Sequence, residues 1–388
     1  MYPEYTTIDC ETTGACNGTF GNPFTDSNRL CVIGYGNISR SNVINLSDES
    51  IPFGRSLRTF ESENIGMSVG FNWKFDAHWL RRYGVNISST TPIWDCQLAH
   101  FIIHDQQKPL PSLEECSQYY RLEDKFIDIE RDYWDKGVDT DCIPFDIVRH
   151  RVESDVKITS QLAELQWDLL KKEPGKKKLI WVSCQDQKVL EEMEWNGLKY
   201  DLELSKEEGN KIRARQKEIE TSLNDIVGIA GINWGSKDQL SYILYGGTLS
   251  LKFRESFIFI YKDGSTAPKE RWSKFDRLLP RRIEPLPGTE YSKGGVFSTD
   301  EDTLSKLKPR DNNTKNIIFL MQEYRTLDKI VSTYFHGIPK LYEEMEWIKN
   351  IIHGQLNSVV TRTGRLSSSK PNQQNMDYEI RKCIISRF

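Results

Sequence analysis

No apolar run in this 388-residue chain approaches the length needed to cross a membrane, which excludes a helical membrane protein. Eight cysteines occur without a single CxxC pair or regular framework. That argues against a structural zinc site and for reduced thiols in a cytoplasmic setting. The first twenty residues carry Glu4, Asp9 and Glu11 and lack a basic-then-apolar signature, so no signal peptide is expected. Internal repeats and low-complexity segments are missing too. With 28% charged and 38% apolar residues, the composition is that of a soluble globular protein rather than a disordered one.

The length exceeds one typical core, so two domains are expected. A net charge of −4 conceals an asymmetry: residues 1–165 hold 15 Lys+Arg against 25 Asp+Glu, and the remainder holds 37 against 31. A polyanion binder could carry its basic surface in the second part. The acidic first part needs another explanation, and divalent metal is one.

Strand-like and helix-like pieces alternate at first. TTIDC, RLCVIGYG, SNVINL and IGMSVGF read as strands; FDAHWLRRYG, WDCQLAHFII and about 145–170 read as helices, giving an α/β layered domain. KKEPGKKK, charged and broken by Pro-Gly, reads as a boundary or a surface turn. Helical patterns dominate thereafter. Ile212, Ile219, Leu223, Ile226 and Ala230 share one helical face, FIFIYKDGSTAPKERW reads as a hairpin around Asp263-Gly264, and a second long helix is expected over about 315–334.

IDCET places Asp9 and Glu11 two apart on a strand, so both carboxylates leave the same face and repel. Something positive should sit between them, while Cys10 faces the other way as a small buried hydrophobe. Acid-x-acid alone is weak, since chance supplies it roughly 8 times in a chain this acidic. Its company carries more weight: NWKFD, with Asn72, Phe75 and Asp76 where a strand gives way to a helix, and HRVESD, with Asp155 in a helix.

In that order and spacing the three stretches resemble the exonuclease motifs of the DEDD superfamily of 3′-to-5′ exonucleases. The resemblance implies a ribonuclease H-like fold over about 1–170 and makes Asp9, Glu11, Asp76 and Asp155 ligands of two Mg²⁺ or Mn²⁺ ions. Such a pair, roughly 4 Å apart, activates the attacking water and stabilises the leaving 3′ oxygen. The superfamily carries either a tyrosine four residues or a histidine five residues before its last aspartate. Here these positions are Arg151 and His150, so the chain is similar to the histidine type, with His150 as general base. The bland alternative has His150 merely ending a turn. Arg151 either pairs with Asp155 one turn on or touches substrate phosphate. Asn72 and Phe75 hold the frayed terminal nucleotide in this reading, or Phe75 belongs to the core. Asp95 either supports the metal site or caps a helix. His78, His100 and His104 read as ordinary helix residues.

LEEMEWNGLKYD, INWGSKDQLSYILYGG, EYRTLDKIVSTY and above all TRTGRLSSSKPNQQN resemble family A DNA polymerases, in their bacteriophage branch. By that resemblance 171–388 is an incomplete polymerase domain, with a mainly α-helical thumb over about 188–350 and the first β-strands of a palm over about 351–388. Arg325 and Lys329 then approach the DNA backbone or form a solvated helix face. Arg365 reads the primer end, and Asn372, Gln374 and Asn375 contact the template. Neither the fingers helix nor the acidic palm motifs have a counterpart, so the chain alone is not expected to add nucleotides; a second polypeptide carrying them is one expected partner. DNA, as a single-stranded 3′ end and as primer-template, is the other. Two functions follow from the resemblance: a proofreading nuclease, or a primer-template clamp with an inactive nuclease.

Overall fold

β-branched and aromatic residues in YTTIDCET build a strand, β1 (Tyr5–Thr12), buried along nearly its whole length. The computed structural model describes residues 2–387 apart from 17, 20, 48–56, 59, 62, 64–65, 88–90, 123–127 and 292–293. It divides into two compact units, Met1–Leu202 with Ile338–Phe388, and Glu203–Gly337.

In the first unit, β1 lies at the centre of a five-stranded sheet with β2 (Leu30–Gly36), β3 (Ser41–Asn45), β4 (Met67–Gly70) and β5 (Ile93–Asp95), in the order β3-β2-β1-β4-β5. β1 runs antiparallel to β2 and parallel to β4, with Thr7 opposite both Gly36 and Val69. Ile8, Ile33, Val69, Ile93 and Trp94 seal the core. Helices α1 (Trp73–Arg82) and α2 (Cys96–Ile103) follow β4 and β5, and the long α3 (Phe145–Leu169) packs on β1 and β2. Gly34 makes that packing possible: a Cβ there would meet Val152 Cγ1 at 2.0 Å, so only glycine lets α3 settle onto the sheet.

Two expectations change. The stretch WDCQLAHFII is not all helix: Ile93–Asp95 forms a fully buried strand parallel to β4, and the helix starts at Cys96. KKEPGKKK does not divide the compact units either. Pro174 stands in the first turn of α4 (Pro174–Asn196), where its fixed φ suits a helix start. Ile180 and Cys184 then carry that helix into the same core as the sheet. After the second unit the chain returns to the first, where Ile351–Ile352 and Ile384–Ile385 both pair with Leu198–Tyr200, and Gln355–Asn357 pairs with Ser367–Ser369.

The second unit is built on α5 (Leu202–Val227), α6 (Lys237–Tyr245) and α7 (Asn312–Ile330). Ile219, Leu223, Val227, Ile317 and Met321 form its core with Leu240, Ile243 and Leu244. The apolar face of α5 stops short of Ala230: the helix ends at Val227, Gly228 takes φ +73°, and Ile229 is buried in place of Ala230. The hairpin is longer than the sequence suggested, pairing β6 (Gly247–Ile260) with β7 (Thr266–Leu279) from end to end. No helix among the described residues is long and apolar enough to cross a membrane.

Candidate metal centre

The alternation of β1 sends Cys10 into the core and Asp9 and Glu11 to the other face. α3 crosses that face and brings Asp155, 3% exposed, down onto it. One carboxylate oxygen from each of Asp9, Glu11 and Asp155 lies within 4.8 Å of the others, although the helix is some 140 residues downstream in sequence. Oxygen ligands without cysteine or histidine make a hard donor set that suits Mg²⁺ or Mn²⁺ rather than zinc.

Asp76 is held differently. It sits on α1, 4% exposed, and its Oδ1 accepts a hydrogen bond from the Cys10 backbone amide at 2.9 Å. Burial pushes its carboxyl well above the usual range. It thus abuts the middle residue of IDCET without joining the cluster of three. Burial, reinforced by Asp76 and Asp9, likewise pushes the Cys10 thiol far up, so this cysteine is no nucleophile.

The positive group demanded by the acid pair is Arg151. Its Nε donates to Glu11 Oε1 at 2.7 Å and lies 3.9 Å from Asp155 Oδ2, and its Nη2 reaches Glu130 at 3.2 Å. The Trp134 ring lies 4.8 Å beneath the guanidinium. Burial works against this charge, but Glu11 and Asp155 outweigh it and hold the guanidinium firmly protonated. The spacing from Arg151 to Asp155 was legible in the sequence; the contact with Glu11, across two elements, was not. His150, one residue earlier on α3, is exposed.

Asp95 caps, and it caps twice. Its carboxylate accepts from Gln97 N and Leu98 N at the start of α2 and from Asn72 N and Trp73 N at the start of α1. Despite these four donors, burial keeps its pKa raised. This side chain fixes the helix that carries Asp76 and the αL turn at Asn72, φ 60°. Asn72 and the half-buried Phe75 line a cavity of about 210 Å³ with Gln97, Gln355 and Asn357. Phe75 also packs against the core.

The lining of that cavity includes a network that no motif announces. Glu194 takes Lys74 Nζ, His78 Nε2 and the Leu356 amide, while Glu191 pairs with Arg81. His78, on α1, is therefore a buried hydrogen-bonding partner of Glu194. His100 and His104 both contact the Tyr120 hydroxyl, at 3.2 and 2.9 Å.

The residues expected on DNA are spread over both units. In the second unit Arg325 is half-buried and donates to the Thr299 carbonyl, whereas Lys329, one turn on, is exposed. In the first, Arg365 is exposed, Asn372 accepts from Gln374 N, Gln374 donates to the Leu366 carbonyl, and Asn375 is exposed.

Residues 273–387 match the model of DNA polymerase family A. DNA polymerase I of Bacillus caldotenax is 29% identical over 188 residues, covering 48% of this chain and 16% of the relative. The DNA polymerase of Bacillus phage SP01 is 25% identical over 360 residues, covering 82% of this chain and 36% of the relative. The chain thus spans little more than a third, or less, of the curated relatives it matches. Among solved structures, the POL domain of Pol1 from M. smegmatis, determined with DNA primer-template and dNTP, superposes with a TM-score of 0.67 at 14% identity, over 98% of this chain and 54% of that one. The mixed α/β fold is therefore shared with a polymerase domain, and residues 273–387 are similar to family A DNA polymerases.

Proposed function

We propose that residues 1–170 form a DEDD-type 3′-to-5′ DNA exonuclease on a ribonuclease H-like sheet, proofreading for a family A replication polymerase of the bacteriophage branch. The convergence of Asp9, Glu11 and Asp155 within 4.8 Å carries this reading. These three, with Asp76 behind Cys10, would hold two Mg²⁺ or Mn²⁺ ions. Bound there, the ions would supply charge stabilisation at phosphorus and a nucleophile at neutral pH. His150, five residues before Asp155, takes a proton from the attacking water. Phe75 and Asn72 at the cavity mouth steady the terminal nucleotide, stacking being the grip that ignores base identity. Residues 171–388 bind primer-template: Lys329 and Arg325 on α7 approach the backbone, Arg365 reads the primer end, and Asn372, Gln374 and Asn375 contact the template. The relatives are longer, and the reading includes a second polypeptide completing the polymerase, checked by co-purification.

The test is release of single nucleotides from a 3′-labelled single strand by the full chain with Mg²⁺. Asp155→Asn should abolish it, and His150→Ala should slow it by roughly 10²-fold or more while leaving DNA binding intact. No release from the wild type at any Mg²⁺ or Mn²⁺ concentration would sink the proposal. The second reading, a DNA clamp with an inactive nuclease, draws on one observation: Arg151 already neutralises Glu11 inside the acidic cluster.

A further inference from the structure

The hairpin β6–β7 answers to nothing in the nuclease. Fourteen residues per strand make an arm roughly 46 Å long. Only Leu249, Leu251 and Leu279, all towards its base, are buried within it. An isolated two-stranded ribbon is marginal in water and has two open edges. It also exposes Phe253, Phe259, Tyr261, Trp272 and Phe275, more apolar surface than a free arm needs.

The pattern on one face is specific. Pairing sets Phe257 opposite Lys269, Glu255 opposite Arg271 and Phe253 opposite Ser273, so these side chains share a face with Phe259 and Tyr261. The rings run as a ladder, with centroids 6.5 Å apart from Phe257 to Phe259 and 5.0 Å from Phe259 to Tyr261. Lys269 Nζ lies 3.7 Å from the Phe259 ring and 4.9 Å from that of Tyr261, and the Arg271 guanidinium lies 5.2 Å from Phe257. Arg271 is paired with Glu255, but Lys269 has no carboxylate partner among the described residues. From 247 to 279 there are seven basic and four acidic side chains.

Rings interleaved with cations on an extended, net-positive ribbon match a chain of unpaired bases joined by phosphates. The rings offer faces and edges to bases, and the cations can turn from ring to phosphate at little cost. In a duplex the base faces are already stacked, so the ladder would contribute nothing there. We propose that the Phe257–Phe259–Tyr261 face, with Lys269 and Arg271, is a binding site for single-stranded DNA. The choice of DNA over RNA rests on the polymerase reading above; the site itself does not need the nuclease to be active.

The test is fluorescence anisotropy with labelled dT20, the same DNA as a duplex, and rU20, all in EDTA so that no strand is cut. The full chain should bind dT20, and the ring losses should fall on dT20 and not on the duplex. Phe259→Ala and Tyr261→Ala should each weaken dT20 binding roughly tenfold. Lys269→Gln should flatten the slope of log K against log salt by roughly 0.7. All three residues are exposed, so the thermal melt should not move. dT20 binding unchanged in these variants, or ring losses equal for dT20 and duplex, overturns the site. Preference for rU20 overturns the assignment to DNA. Variants that keep dT20 binding but change the mass of the particle in light scattering would make the arm a protein interface instead. Because nuclease activity is assayed separately with Mg²⁺, either proposal can fail without the other.

Discussion

The acidic cluster of the first unit and the aromatic-basic arm of the second are opposites in construction. Asp9, Glu11 and Asp155 are drawn together by a packed sheet and helix, and their mutual repulsion is offset by Arg151. The arm gathers its rings by strand alternation alone, within about 30 residues, and leaves them in solvent. Repulsion has to be held in place by a core; stacking does not. Perturbing the core should therefore damage the first site and spare the second.

The largest effect is expected at the cluster. Asp155→Ala should cut nucleotide release more than about 100-fold, because changing even a residue behind a metal ligand costs about 10–100-fold. dT20 binding in EDTA should be unchanged, which separates the two sites in a single protein.

Arg151→Met comes next. It leaves Glu11 and Asp155 buried without their counter-charge, and breaking such a pair costs on the order of 3–5 kcal/mol. The urea midpoint should fall in EDTA and recover with Mn²⁺, and Mn²⁺ should bind more tightly than to the wild type in calorimetry. Equal midpoints in EDTA would show that the guanidinium does not hold the cluster.

Mild acid should also discriminate between the units. Burial lowers both His100 and His353 to about 4, so each is neutral in the folded state and charged in the unfolded one between that value and its ordinary 6.5. The unfolded state binds more protons there, so stability falls as pH drops from about 6.5 to 4, on the order of 1–3 kcal/mol for each. Five of the six histidines lie in the first unit, so hydrogen exchange should loosen there before Glu203–Gly337. His353→Gln should reduce the slope.

How far these features could be read beforehand follows from the same contrast. β1 to β4, α1, α3 and the hairpin turn were legible because each depends on local alternation or periodicity. The buried strand at Ile93–Asp95 was absorbed into a helix, since a three-residue run surrounded by apolar positions has no period of its own. The cluster was foreseeable from motifs, but its arrangement was not: Asp76 accepts from the Cys10 amide, and Asp95 caps two helices. The Lys74–Glu194–His78 network links three segments far apart in sequence, and no local pattern predicts a buried ion pair.

The smallest effect tests α7, where two basic residues share a face but not a role. Arg325 donates to the Thr299 carbonyl at the end of the segment that caps the Glu301–Lys306 helix, so Arg325→Ala should lower stability by about 1–2 kcal/mol. Lys329 is exposed, and Lys329→Ala should leave stability within about 0.5 kcal/mol. On duplex DNA the order should reverse: losing one phosphate contact at Lys329 flattens the salt slope by roughly 0.9, while Arg325→Ala leaves the slope nearly as it is. If both variants flatten it alike, the Thr299 contact gives way when DNA binds, and α7 offers both cations after all. If neither does, duplex DNA is not held through the basic residues of this helix.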